Sequence, residues 1–220
     1  MNSRFVGCAL GDQAGGLKHS TGVRIIAMSR HLLWAMGLWL GLMALPTGAR
    51  ATVDDSYVSR SGLQLWLRAD SLSLSDGAAV SQWPDQSGNG NDAGQTLIAN
   101  QPTYTAEALN GLPAIHFTAA SKNYLTIADN PSLSFPQVSI VAVMRRASGT
   151  GAVVIAEKYN TTTIYGYSLR MSNATTAKFT TNSGGLSADA ASDIYSLVEA
   201  TYDQSNKNLY VNGVLGASTA

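Results

Sequence analysis

The chain has 220 residues, with 14 Lys and Arg against 14 Asp and Glu and a formal net charge of zero. Five of the bases (Arg4, Lys18, Arg24, Arg30, Arg50) but one acid (Asp12) fall within residues 1–51, so the remainder carries nine bases against thirteen acids and no basic run. A net negative body without clustered Lys or Arg excludes nucleic acid as a partner, because neutralising phosphates requires such clusters.

From Met28 the chain reads Ser29-Arg30-His31, then an apolar run from Leu32 to Leu45, then Pro46-Thr47-Gly48-Ala49-Arg50-Ala51. This is the n-region, h-region and small-residue cleavage pattern of a secretory signal, with cleavage expected after Ala51. The apolar run is shorter than the ~20 residues that span a bilayer, so no membrane span is expected after cleavage. Residues 1–27 precede a complete signal and are expected to be an over-called upstream extension. The single cysteine, Cys8, lies in this leader. The rest of the chain therefore has no disulfide, thiol nucleophile or Cys-ligated metal. Nor does it need one, because a domain of roughly 150 residues buries about 70% of its unfolded surface.

A short polar linker, 52–61, leads into Leu63 to Arg68, whose two-residue alternation predicts a half-buried strand. Further strands are predicted at Ala114 to Thr118, Tyr124 to Ile127, Val138 to Arg145, Val153 to Glu157, Tyr165 to Met171, Ala177 to Thr181, Tyr195 to Tyr202 and Asn208 to Val211. Between them lie turn clusters such as Asn110-Gly111-Leu112-Pro113, Asp129-Asn130-Pro131-Ser132 and Asn182-Ser183-Gly184-Gly185. No long helical period follows residue 51. Many short strands at this spacing predict an all-β sandwich or barrel. The centre of Val138 to Arg145 is apolar on both faces, as for a strand deep between two layers.

Six pieces in order carry a family likeness: Gly62 to Leu67, Trp83 to Ala93, Gly111 to Phe117, Tyr124 to Ile127, Gly166 to Arg170, and the hairpin from Ala200 through Tyr210-Val211-Asn212-Gly213 to Val214. Together they resemble the laminin-G-like, concanavalin-A-type jelly rolls of bacterial secreted and surface proteins, from Gly62 to the C-terminus. The resemblance implies an all-β, two-sheet antiparallel jelly-roll sandwich, here preceded by a helical signal segment. It also implies glycan or protein binding through loops at one rim, and occurrence as one module among several. Members of the family continue past the Tyr-Val-Asn-Gly hairpin with closing strands, whereas this sequence stops at Ala220. The expectation is a truncated or frameshifted form of a longer protein.

The loop from Asp85 to Asp92 places oxygen-bearing side chains at Asp85, Ser87, Asn89 and Asn91, with Gly90 at the sixth position of a calcium-type loop. The bidentate acid is missing, because the twelfth position is Thr96. The same residues suit Asx turns with Gly88 and Gly90 at special φ. Calcium thus stands as an optional structural ion, and no cofactor is required.

His116 is the only histidine after the leader and has no nucleophile or carboxylate at recognisable spacing, so it is not expected to be catalytic. Glycoside hydrolysis uses two carboxyls flanking the scissile bond. Only Glu107, Glu157 and Glu199 are available as glutamates, and Glu199 with Asp203 is the one spaced acid pair. A hydrolase is therefore disfavoured and no catalytic residue is assigned.

Aromatic loop residues stack on sugar rings and amides bond hydroxyls, which makes Tyr159, Asn160 and Tyr165 the candidate ligand-binding residues. Trp66, Trp83, Phe117, Tyr167 and Tyr202 fall at strand positions and are expected in the core. The chain is thus expected to be a secreted, periplasmic or cell-surface recognition or adhesion module. Carbohydrate leads as partner, with an extracellular or cell-surface protein as the other class. A structural spacer in a larger surface protein is the alternative.

Overall fold

A computed structural model of the chain describes residues 60–134, 136–158 and 166–219, together with the backbone of two strands nearer the N-terminus. The signal segment 28–51, the linker up to residue 59, and Tyr159, Asn160 and Tyr165 lie outside the described residues.

The fold is all-β. Its strands are β1 (Ser3–Phe5), β2 (Gly22–Ile26), β3 (Gln82–Trp83), β4 (Ala93–Gly94), β5 (Thr103–Leu109), β6 (Leu112–Thr118), β7 (Leu125–Ile127), β8 (Val138–Arg146), β9 (Val153–Lys158), β10 (Tyr167–Met171), β11 (Thr176–Thr181), β12 (Gly184–Asp189), β13 (Tyr195–Tyr202), β14 (Lys207–Val211) and β15 (Val214–Thr219). Among the described residues helix is confined to three 3₁₀ turns at Ala69–Ser71, Ile98–Asn100 and Pro131–Leu133. Among the described residues no helix is long and apolar enough to cross a membrane.

Antiparallel ladders build four blocks: β3-β4-β7, β5-β6, β8-β13-β14-β15 and β9-β10-β11-β12. The two N-terminal strands join these blocks in pairs. β1 lies between β7 and β9, and β2 between β6 and β8, giving sheet orders β12-β11-β10-β9-β1-β7-β4-β3 and β15-β14-β13-β8-β2-β6-β5. Both come from the stretch 1–27 that the sequence suggested lay outside the domain.

Two core clusters lie between the sheets. One gathers Met144, Val198, Ala200 and Leu209 from one sheet against Ile155, Leu169, Met171, Phe179 and Leu186 from the other. The second gathers Tyr104, Ile115 and Phe117 against Trp83, Ala93, Leu125 and Ile127. Full burial of an aliphatic or aromatic side chain contributes about 1.5–3 kcal/mol, so these clusters supply the main drive to fold. The strand period selects their members: on β13, Ser196, Val198 and Ala200 alternate inward while their neighbours stay partly exposed. In β8 the run Ala142, Val143 and Met144 is buried on both faces, as its apolar centre indicated.

Two hairpins turn on Asn-Gly. Leu109 pairs with Leu112 across Asn110 (φ 51°) and Gly111 (φ 74°), and Val211 with Val214 across Asn212 (φ 54°) and Gly213 (φ 78°). Both residues of each pair are left-handed, as a two-residue type I′ hairpin requires.

The segment predicted as a strand from Leu63 to Arg68 forms no ladder; its one bridge joins Leu67 to Asp85. Side chains of the 85–92 loop bind its carbonyls in place of a neighbouring strand. Conversely β5, β12 and β15 were not expected. β5 alternates only through Tyr104 and the small Ala106 and Ala108, β12 opens on Gly184-Gly185, and β15 carries Gly216 on a largely exposed edge.

Candidate functional site

The loop proposed for calcium is built around Asp85. Its carboxylate accepts hydrogen bonds from the Trp66 N–H (2.9 Å), the Ser87 N–H (2.8 Å), the Asn91 N–H (3.0 Å) and the Ser87 hydroxyl (2.6 Å). The Ser87 contact is an Asx turn. Asn91, 1% exposed, donates its amide to the Gln64 carbonyl at 2.7 Å and to Ser132 Oγ at 3.0 Å, and Asn89 donates to the Leu63 carbonyl at 2.9 Å. Asp92 accepts from the Asp85 N–H at 2.8 Å and from the Gln82 amide at 2.9 Å.

These oxygens are directed at the chain's own N–H and O–H groups. A calcium ion takes six to eight oxygen ligands, and of Asp85, Ser87, Asn89 and Asn91 only Asp85 supplies a carboxylate. Among the described residues no three His, Cys, Asp or Glu gather as a metal group. The loop acts as a clasp on the 63–67 segment. Trp66, clasped at its N–H, lies beneath the guanidinium groups of Arg60 and Arg68, whose central carbons sit 4.4 and 5.0 Å from its ring centroid.

A cleft opens where the two sheets part at the β8 N-terminus. It has a volume of ≈ 350 Å³ and is lined by Leu133, Ser134, Pro136, Val138, Lys158, Gly166, Tyr167, Thr181, Asn182, Tyr202 and Gln204. It shares Leu133, Val138, Tyr167 and Tyr202 with a longer groove of ≈ 580 Å³, whose other walls include Leu63 to Leu67, Ile140, Ala142, Ile155 and Asp203. Lys158 and Gly166, the described residues on either side of 159–165 in sequence, both line the cleft.

Tyr167 and Tyr202 depart from the core placement expected of them. Both are half-buried, packing one side on the larger core cluster and lining the cleft with the other. Trp66, Trp83 and Phe117 are 9%, 1% and 2% exposed and so buried as expected, Trp66 without the strand predicted for it. Tyr167 donates its hydroxyl to the Leu133 carbonyl at 3.4 Å, and burial pushes its phenol up to about 12. Tyr202 donates to the Gln204 carbonyl at 3.2 Å and accepts from Ser183 Oγ at 3.4 Å.

Charge at the cleft is largely paired. The Lys158 ammonium lies 2.8 Å from Asp129 and 3.1 Å from the Asn130 carbonyl. The Lys158 hydrogen bond holds the Asp129 carboxyl below its ordinary value. Asp203 is also held low, by the Asn206 N–H at 2.6 Å, the Asn206 amide at 3.2 Å and the Ser205 N–H at 2.9 Å. Glu199 and Asp203 do not converge on the cleft as a pair: Asp203 lines the groove, while Glu199 sits mid-strand on β13, opposite Val141 and Tyr210. His116 lies on β6 opposite Thr103 and outside both walls.

Lys158, Asn182, Gln204 and Lys207 were not foreseen. Three of them reach the cleft from elements distant in sequence. Only Lys207 left a local signal, a lysine at an inward position of the Lys207, Leu209 alternation. No protein-family model, curated protein or solved structure matches the chain.

Proposed function

We propose that this chain is a non-catalytic recognition module of the secreted or cell-surface kind, on a laminin-G-like jelly-roll sandwich, that binds carbohydrate in the tyrosine-lined cleft. The observation that carries this is the convergence of two half-buried tyrosines, Tyr167 and Tyr202, with Asn182 and Gln204 on one concave wall. Aromatic faces stack on sugar rings, and amides fix hydroxyl orientation. The cleft volume of ≈ 350 Å³ suits one or two sugar units, at the lower end of small-molecule sites. Support for a non-catalytic role comes from Asp203, the single carboxylate among the described lining residues. Its three donors favour the ionised form and so oppose a general-acid role.

The test is binding of the full chain to immobilised β-glucan, xylan, mannan and chitin oligosaccharides, beside Tyr202→Ala and Tyr167→Ala. Retention by wild type and its loss in both variants supports the proposal. Retention that survives both substitutions places the binding surface elsewhere.

A structural spacer is the second reading, favoured by the Asp85 loop, whose polar groups are turned onto the chain itself. Failure of wild type to retain any of the four glycan classes supports the spacer.

A further inference from the structure

Lys207 lies at the first, inward-facing position of β14 and is 4% exposed. Its ammonium reaches across the core to the β11–β12 turn of the opposite sheet. There it donates to the Ser183 carbonyl at 3.0 Å, the Gly184 carbonyl at 3.0 Å and Ser183 Oγ at 3.2 Å. Three N–H donors thus meet three oxygens, and among the described residues no carboxylate pairs with the charge. A buried ammonium is tolerable when every donor is satisfied and costly when one is not. The turn it grips supplies Thr181 and Asn182 to the cleft wall. Ser183 Oγ, held by the same ammonium, lies 3.0 Å from Thr181 Oγ1 and donates to the Tyr202 hydroxyl at 3.4 Å. One ammonium therefore connects both the amide-bearing wall and one of the two cleft tyrosines.

We propose that Lys207 is the positioning residue of the cleft: its ammonium ties the Thr181–Gly184 turn to β14 and so sets the spacing between Asn182 and Tyr202. This rests on the carbohydrate-binding function proposed above. The ammonium carries the role rather than the packing of its stem, because its three hydrogen bonds all go to this turn. A β-carbon at Gly184 would stand 3.7 Å from the Lys207 nitrogen, and its φ of +106° is one that other residues rarely adopt.

The experiment compares full-chain wild type, Lys207→Met and Lys207→Arg in two measurements: amide exchange at residues 182–185, and retention on the four immobilised glycan classes. Methionine keeps the stem and removes all three donors, whereas arginine restores donors in a different fork. Lys207→Met is expected to speed exchange in the turn ~10-fold or more while Val198 and Ala200 in β13 keep wild-type protection, marking local rather than global opening. Glycan retention is expected to fall by a similar factor, with Lys207→Arg recovering part of both. Unchanged turn exchange in Lys207→Met overturns the tie. Faster exchange with undiminished glycan retention overturns the role in binding. Loss of protection in β13 as well makes Lys207 a general stability residue and overturns the positioning claim. Should wild type retain no glycan, the carbohydrate proposal and Lys207's part in it fall together, and the exchange data decide the tie alone.

Discussion

Replacing Asp85 by alanine removes the acceptor for four hydrogen bonds at once. The N–H groups of Trp66 and Asn91, in residues 9% and 1% exposed, are the two that water reaches least. Hydrogen bonds to a charged acceptor are worth about 1.5–3 kcal/mol by mutation, and contacts within one network do not add in full, so a loss of about 3–5 kcal/mol is expected. Against a total of about 5–15 kcal/mol for an ordinary domain, this is a large fraction. Asp85→Asn, which keeps one acceptor oxygen, is expected to lose roughly half as much on the same grounds. Urea unfolding followed by far-UV circular dichroism measures both, with the m-value checked for constancy. A loss below about 1 kcal/mol for Asp85→Ala, the size of one ordinary neutral hydrogen bond, would refute the clasp. Repeating the titration in calcium chloride and in EDTA separates the clasp from a calcium loop. The midpoint is expected to stay fixed, and a calcium-dependent rise abolished by Asp85→Asn would return the ion to the loop.

Two other perturbations follow from the same geometry. Tyr167 has a folded pKa raised from 10.0 to about 12 by burial, so the folded state holds its proton after the unfolded chain has released it. That stability is fully present below pH 10 and is lost as pH climbs towards 12. Tyr167→Phe is therefore expected to flatten the alkaline limb of the stability curve, and an unaltered limb would show that the phenol is not buried. A chain beginning at Thr52, as cleavage after Ala51 would leave it, lacks β1 and β2 and so lacks the ladders that join the four blocks in pairs. Its tryptophan fluorescence, which comes from Trp66 and Trp83, is expected to change at a different urea concentration from its circular dichroism. Coincident transitions at the full-chain midpoint would contradict a structural role for the leader strands.

Legibility in the sequence tracked locality. β13 was readable because Val198 and Ala200 alternate with partly exposed neighbours, and Asn110-Gly111 was readable as a turn, but the hairpins at Asn110-Gly111 and Asn212-Gly213 were not, because their strands β5 and β15 were not expected. Leu63 to Arg68 has the same alternation yet forms no ladder, since pairing depends on a neighbour that no local pattern reveals. Tyr167 and Tyr202 read as core because strand position fixes which face a side chain points to, but not where along the strand two sheets part. The oxygen spacing of Asp85, Ser87, Asn89 and Asn91 serves a cation and an Asx clasp equally well in sequence. The N–H groups of Trp66 and Asn91 that Asp85 accepts from leave no signal there, and Trp66 lies 19 residues away from Asp85.

The most direct test of carbohydrate binding in the Tyr167–Tyr202 cleft is a titration of the isotopically labelled full chain with soluble glucan, xylan, mannan and chitin oligosaccharides, followed by amide chemical shifts. Saturable shifts confined to residues 133–138, 166–167, 181–184 and 202–204 with one of these sugars are the predicted result. Saturable shifts centred on another surface, or no shift with any of the four, would contradict it.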